Sequence, residues 1–254
     1  MENKNNVKRS NTGKRKLYFR ALKKVMKVKY KEPTFIYLGD EVTNGALILS
    51  NHEGTDAPMS LEIYLNKPIR MWGASEMNSG LIPLYKYQTK VYYHEKKHWN
   101  IHLARAFCLV ASPLTNMFYS GLDIISTYHD ARTVKTIRES IEAIKAGMNI
   151  VVYPEDSAKG YLSELEGFHE GFVLFAEVCY NRGIDIPIFV SYFRKSDLTY
   201  IFDKPVYYSE LAKLGLSRAE IAKKLCERCN ELGKMQFDEN GELIVDPEMS
   251  ETTV

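Results

Sequence analysis

From residue 121 onward, short apolar runs and amphipathic helical patterns take turns, and that alternation restricts the fold more than any other feature. "LDIIS" (122–126) reads as a strand. Residues 130–146 predict a helix, with Val134, Ile137, Ile141 and Ile144 on one face and Gly147 as its C-terminal stop. "NIVVYPE" (149–155) reads as a buried strand running into a Pro-Glu turn, residues 168–182 as a helix, and "DIPIFVSYF" (185–193) as another strand. "YIFDKPVYY" (200–208) reads as a late edge strand and residues 217–233 as a final helix. Strands alternating with helices predict an α/β fold: a mixed, largely parallel central sheet flanked by helices.

The first half carries the same signals less regularly. Pro33 marks a boundary. "FIYLG" (35–39) and "ALILS" (46–50) read as short strands joined through a polar turn with Gly45. Residues 57–66 read as a helix and "IRMWGAS" (69–75) as a strand, while residues 76–103 give no clear pattern. Residues 106–122, "AFCLVASPLTNMFYSGL", hold no charge. They are too short and polar for a spanning helix, and Pro113 is expected to interrupt them. Two readings stay open for this stretch, a buried core segment and a lipid-facing patch.

The 254 residues suit one large domain. Four cysteines (Cys108, Cys179, Cys226, Cys229) are too few for a disulfide scaffold and indicate a reducing compartment, and no secretory signal is recognised. The net charge of +2 conceals an imbalance: residues 1–31 hold twelve Lys or Arg against Glu2 alone, so the remainder sums to −9. Within that arm, "RKLYFRALKKVMKVKY" (15–30) predicts an amphipathic helix. Leu17, Ala21, Val25 and Val28 form one stripe, with Leu22 and Met26 beside it. Such a helix suits an anionic membrane surface, or else packs on the domain with a solvated basic face. The expected organisation is therefore a basic arm with a membrane-surface helix (1–31), the α/β domain (32–235) and an acidic tail (236–254), loose or a small hairpin.

Chemistry concentrates where two apolar runs end. "LILSNHEGTDAPMSLE" (47–62) passes from a buried strand into Asn51-His52, with Asp56 four positions after the histidine. "IVVY" ends in Pro154-Glu155. Ligands in open α/β sheets collect at the carboxyl ends of strands, so both segments are expected to face one cleft. The alternative for Thr55 or Asp56 is a helix N-cap, and for Glu155 a turn acid accepting backbone N–H groups.

Four segments in order resemble the glycerolipid acyltransferase superfamily, which includes the lysophosphatidate acyltransferases. "SNHEGTD" (50–56) resembles the family's Asn-His…Asp block. "GLDIIST" (121–127) sits where its Gly-bearing strand belongs. "VVYPEDSAKG" (151–160) resembles the Phe-Pro-Glu-Gly-Thr-Arg turn, and "IDIPIFVSYF" (184–193) the late apolar strand. "GFHEGFVLFA" (167–176) resembles the helix after the third block. The resemblance spans about residues 45–195. It implies an O-acyltransferase with His52 and Asp56 catalytic, and a substrate site lined by Asn51, Gly54, Pro154, Glu155, Ser157 and Lys159. The acyl donor would be acyl-CoA or acyl carrier protein, a co-substrate with no separate cofactor or metal. The acceptor would be a lysolipid such as 1-acylglycerol-3-phosphate, and the enzyme would sit peripherally at the cytoplasmic face of a membrane. Three features depart from the family. Three residues rather than four separate His52 from Asp56, Thr127 stands where an arginine is usual, and Asp156 and Ala158 replace a glycine and an arginine. The missing arginines would otherwise hold the acceptor's phosphate, a charge Lys159 would have to supply.

The residues support the same chemistry on their own terms. Acyl transfer from a thioester to a hydroxyl needs that hydroxyl deprotonated as it attacks, and an imidazole suits the task at neutral pH. A carboxylate on its other nitrogen holds the tautomer, backbone N–H groups near Gly54 suit an oxyanion, and no enzyme nucleophile is required. Among competing motifs, "HEKKH" (94–98) fits the zinc-protease pattern, but Lys96 and Lys97 oppose a dication. "CERC" (226–229) lies at helix-core spacing and reads as inert. The basic arm lacks a nucleic-acid recognition fold, so nucleic acid is not the expected partner. A non-catalytic lipid-binding relative of the same fold is the main alternative.

Overall fold

The computed structural model describes residues 15–155, 162–238 and 243–244. In chain order the first half runs α1 (Leu17–Met26), β1 (Thr34–Tyr37), β2 (Leu47–Ser50), α2 (Asp56–Tyr64), β3 (Ile69–Ala74), α3 (Ser75–Asn78) and α4 (Leu81–Tyr87). A π-helical stretch (Gln88–Lys96) leads to α5 (Ile101–Leu122). The second half runs β4 (Ile125–Thr127), α6 (Thr133–Lys145), β5 (Asn149–Val152), α7 (Gly171–Tyr180), β6 (Pro187–Arg194), β7 (Thr199–Phe202), β8 (Val206–Tyr207), α8 (Tyr208–Lys213) and α9 (Arg218–Lys234).

The strands form one mixed, mostly parallel sheet in the order β1-β7-β6-β2-β5-β3-β4. Only β6 pairs antiparallel, with β7 along its length and with β8 near Pro187. All four residues of β2 are buried, as are all four of β5. Strand residues alternate between faces, so Leu47 and Leu49 join Ile150 and Val152 on one side, against α6, α7 and α9. Ile48, Val151 and Phe189 face the other side, with Phe19 of α1 and Leu61 of α2. Helices therefore cover both faces, as the continuous apolar strands require.

Several sequence readings are corrected in place. β1 and β2 are not neighbours, because β7 and β6 lie between them. The run from Tyr200 is not an edge: β7 is enclosed by β1 and β6, and β1 takes the outer position. Residues 122–124 precede the strand, which begins at Ile125, and α5 continues through Pro113. That proline lies on the exposed face and is carried by packing on either side of it. The bridge Phe237–Leu243 matches the hairpin reading of the tail's start.

The basic helix α1 is part of the domain. Phe19 is fully buried against the Phe118 ring, and a Cβ on Gly121 would lie 2.1 Å from the Phe19 ring. Arg15 reaches the buried Glu62 of α2 with Nε and Nη2, at 2.9 and 2.6 Å, and Lys23 pairs with the same carboxylate at 3.2 Å. At the amino end of the sheet, buried Arg70 is held by Glu139 at 2.6 Å and Asp123 at 3.1 Å. Removing one member of such a buried pair is strongly destabilising, because the remaining charge stays desolvated. The boundary at residue 31 therefore does not separate two independent units. Phe19→Ala is expected to lower the unfolding free energy by about 3–5 kcal/mol in urea titrations. A loss well under 1 kcal/mol would mean that α1 does not share the core.

Candidate functional site

β2 carries two side chains that lock its own end before the chain leaves the sheet. Ser50 shares a 2.7 Å hydrogen bond with the Tyr200 hydroxyl. The Asn51 amide donates to Phe193 O at 3.0 Å and accepts from Phe193 N at 2.7 Å. Those two bonds imitate a further rung of the parallel ladder between β2 and β6. Asn51 is buried and its amide engages the neighbouring strand, so it acts on position rather than presenting a free polar group.

His52 is the first residue beyond that lock. Its backbone N–H donates to Glu155 Oε1 at 2.5 Å, so the ends of the paired strands β2 and β5 are joined as the two motifs predict. Its half-buried imidazole packs against the Tyr153 ring, with centroids 4.9 Å apart and planes inclined at 57°. Burial holds the Tyr153 hydroxyl well above its ordinary pKa, so it remains protonated at neutral pH. Pro154 is buried, and its carbonyl accepts from His169 N at 2.8 Å. Glu155 bridges Phe168 in the adjoining antiparallel segment. The start of "GFHEGF" is thus folded back onto the Pro-Glu turn.

After His52 the chain turns sharply. Glu53 and Gly54 both adopt positive φ, at 39° and 66°, and Thr55 returns to the right-handed region. Gly54 tolerates this conformation because it has no Cβ, and nothing lies within 4 Å of where one would project. A left-handed residue followed by a right-handed one turns successive N–H groups toward a common concavity, a geometry suited to an anion. Thr55 is the N-cap residue of α2 but makes no side-chain cap bond, and its hydroxyl lies 3.1 Å from the Tyr30 hydroxyl. Asp56 is the first helical residue, so the capping alternative is not how its carboxylate is used.

Asp56 Oδ2 pairs instead with Lys195 Nζ at 2.6 Å, an ion pair that raises the lysine pKa through the hydrogen bond and the carboxylate charge. No hydrogen bond or ion pair between the His52 and Asp56 side chains is found among the described residues. Lys195 follows β6, so its partnership with Asp56 spans the sheet ends and has no local sequence signal. Tyr153 was closer to view, as the residue immediately before Pro154. Ser157 and Lys159 lie outside the described residues. Thr127 donates its hydroxyl to Gly73 O at 3.1 Å.

The competing motifs take definite places. His94 lies in the π-helical stretch with Nδ1 2.8 Å from Trp99 O. His98 falls beyond that stretch at φ 55°. The two histidines therefore lack the shared α-helical face that the zinc pattern requires. Cys226 and Cys229 are buried on α9, and burial lifts the Cys226 thiol to about 11 and holds the Cys229 thiol well above its ordinary value. Both remain thiols at neutral pH, as expected of inert helix cysteines. Compared with known protein families and with characterised proteins, the sequence matches none.

Burial and the charge of Glu53 push the Glu155 carboxyl up to about 7 from 4.5, against the lowering effect of the His52 N–H. Between those two values the folded protein retains a proton that the unfolded chain has released. Stability from this group is therefore present in full below about pH 4.5 and is lost as pH rises through about 7. Glu155→Gln keeps an oxygen acceptor for His52 N–H and cannot ionise, so urea midpoints should vary less across this window in the variant. Identical pH slopes in the two proteins would show that Glu155 titrates as an ordinary carboxylate.

Proposed function

We propose that the protein is an O-acyltransferase of the glycerolipid acyltransferase type, moving a fatty acyl chain from acyl-CoA or acyl carrier protein to the hydroxyl of a lysolipid. The observation that carries this reading is the junction of His52 and Glu155 at the carboxyl ends of adjacent parallel strands, beside the Tyr153 ring.

In this reading the acceptor hydroxyl attacks the thioester carbonyl while His52 takes its proton. The new C–O bond forms, the C–S bond breaks, and the imidazolium returns the proton to the departing thiolate. The turn at Glu53–Thr55 supplies backbone N–H groups for the developing oxyanion. Asp56 steadies the imidazolium. A carboxylate has two acceptor oxygens, so pairing of Oδ2 with Lys195 leaves Oδ1 able to serve the ring. Glu155 holds the His52 backbone and lines the acceptor side with Pro154, Ser157 and Lys159. The work site would be the cytoplasmic face of an anionic membrane, with the protein bound peripherally. Among the described residues, no helix is long and apolar enough to cross a membrane.

One observation favours a second reading, a non-catalytic lipid-binding protein of the same fold: the described partner of Asp56 is Lys195 rather than His52. A single assay separates the two. Purified protein is given a labelled long-chain acyl thioester and a mixed lysolipid panel, and products are identified by mass spectrometry. His52→Ala is expected to lower the rate by about 10²–10⁴-fold, the usual contribution of general-base assistance. Equal rates in wild type and variant would eliminate the enzymatic reading.

A further inference from the structure

Helix α5 is 22 residues long, about 33 Å at the usual helical rise. It buries only a narrow strip, marked by Ala104, Cys108 and Ser112. The opposite side is apolar and open to solvent: Leu103 is 65% exposed, Val110 72% and Leu114 62%, with Phe107 and Met117 completing the row. These positions follow one another at intervals of three or four, so they form a continuous ridge. After Arg105 the helix carries no charge at all. A ridge of this length exceeds the scattered apolar residues a soluble surface normally shows, and it implies an apolar occupant.

Three observations identify that occupant. First, α1 lies beside the ridge, since the Tyr18 hydroxyl donates to Met117 O at 3.0 Å. Its own exposed side combines Leu17, Val25 and Val28 with Lys16, Arg20 and Lys24. Second, residues 77–122 contain five Lys or Arg and one acid, Glu95. The segment that bears the apolar strip is thus net positive, with Arg105 exposed on α5 itself, a charge balance suited to an anionic surface. Third, the Tyr93, Trp99 and Phe107 rings pack together at the start of α5, with centroids 4.8–5.5 Å apart, and Trp99 and Phe107 remain exposed. Aromatic rings at the end of an apolar strip are suited to the headgroup layer of a bilayer.

We infer that α5, together with the outer side of α1, is the face by which this protein lies on an anionic phospholipid bilayer, with the α5 ridge entering the acyl boundary. The topology adds an orientation. β3 delivers the chain to α3 and α4 at its carboxyl end, and α5 returns to the amino end of β4. At about 33 Å, α5 is longer than β3, whose six residues span about 20 Å. The aromatic start of α5 therefore follows the elements that leave the carboxyl end of β3, and its far end leads to the amino end of β4. The inference deepens the peripheral-membrane part of the reading above but does not need its chemistry.

The test is co-flotation with vesicles of phosphatidylglycerol and phosphatidylcholine, beside vesicles of phosphatidylcholine alone. Wild type is expected to float with the anionic vesicles, with Trp99 emission shifting to the blue. The double variant Val110→Glu, Leu114→Glu is expected to float at least tenfold less. Both positions are exposed, so its circular dichroism should match wild type. If the variant does not fold, quenching of wild-type Trp99 by brominated lipid tests the same contact, and no quenching overturns the inference. Undiminished flotation of the folded variant overturns it too. So does a lipid-free dimer that the substitutions split, which would make the ridge a protein interface. Acyl-thioester turnover with a water-soluble acceptor, followed in parallel, separates failure of this face from failure of the catalytic reading.

Discussion

Everything at the site depends on β2 lying between two parallel neighbours with both faces covered. Its register with β5 runs from Leu47–Ile150 to Leu49–Val152, and with β6 it extends to Ser50–Ser191. Both faces of β2 are buried, so a slip of one residue would exchange the side chains fitted into two closely packed cores rather than expose them. Asn51 then carries the strand one rung further by bonding both polar groups of the Phe193 backbone. With that rung made, the position of the His52 N–H is dictated by the sheet, and Glu155 meets it because β5 is in register.

Charge inside the domain is arranged around the same frame. Arg70 is buried at the amino end and is satisfied by Asp123 and Glu139. Glu62 is buried under α1 and is satisfied by Arg15 and Lys23. Ion pairs of this kind recover the desolvation they incur only with good geometry, so they contribute more to a unique arrangement than to net stability. Here they define where α1 and α5 sit. Glu155 is the contrast: no cation meets it among its described contacts, and burial keeps its proton on to about pH 7.

Much of this was legible in the residues. The second-half alternation located β5, α6, α7, β6 and α9 to within a few positions, because buried strands and amphipathic helices impose different periods. Strand polarity placed His52 and Glu155 at the same end of the sheet, and the pairing of β2 with β5 brings them into contact. What was not legible is non-local. Nothing between "FIYLG" and "ALILS" says that two later strands will separate them. Lys195 reaches Asp56 only because β6 lies beside β2. Pro113 argued for a break, yet tertiary packing carried α5 through it. The stripe chosen on α1 proved to be the exposed one, while Phe19, between its members, turned inward. The buried-core reading of residues 106–122 describes one side of α5, while its other side is apolar and exposed.

The seat of α1 has a bearing on the order in which the chain can assemble. Tyr18 bonds a carbonyl 99 positions later, and Phe19 closes on Gly121. During synthesis the helix therefore leaves the ribosome long before its resting place exists. Throughout that interval its inward side, including Phe19 and Leu22, lacks the part of its cover that α5 supplies. Burial of Phe19 is therefore completed only once the chain has reached Gly121.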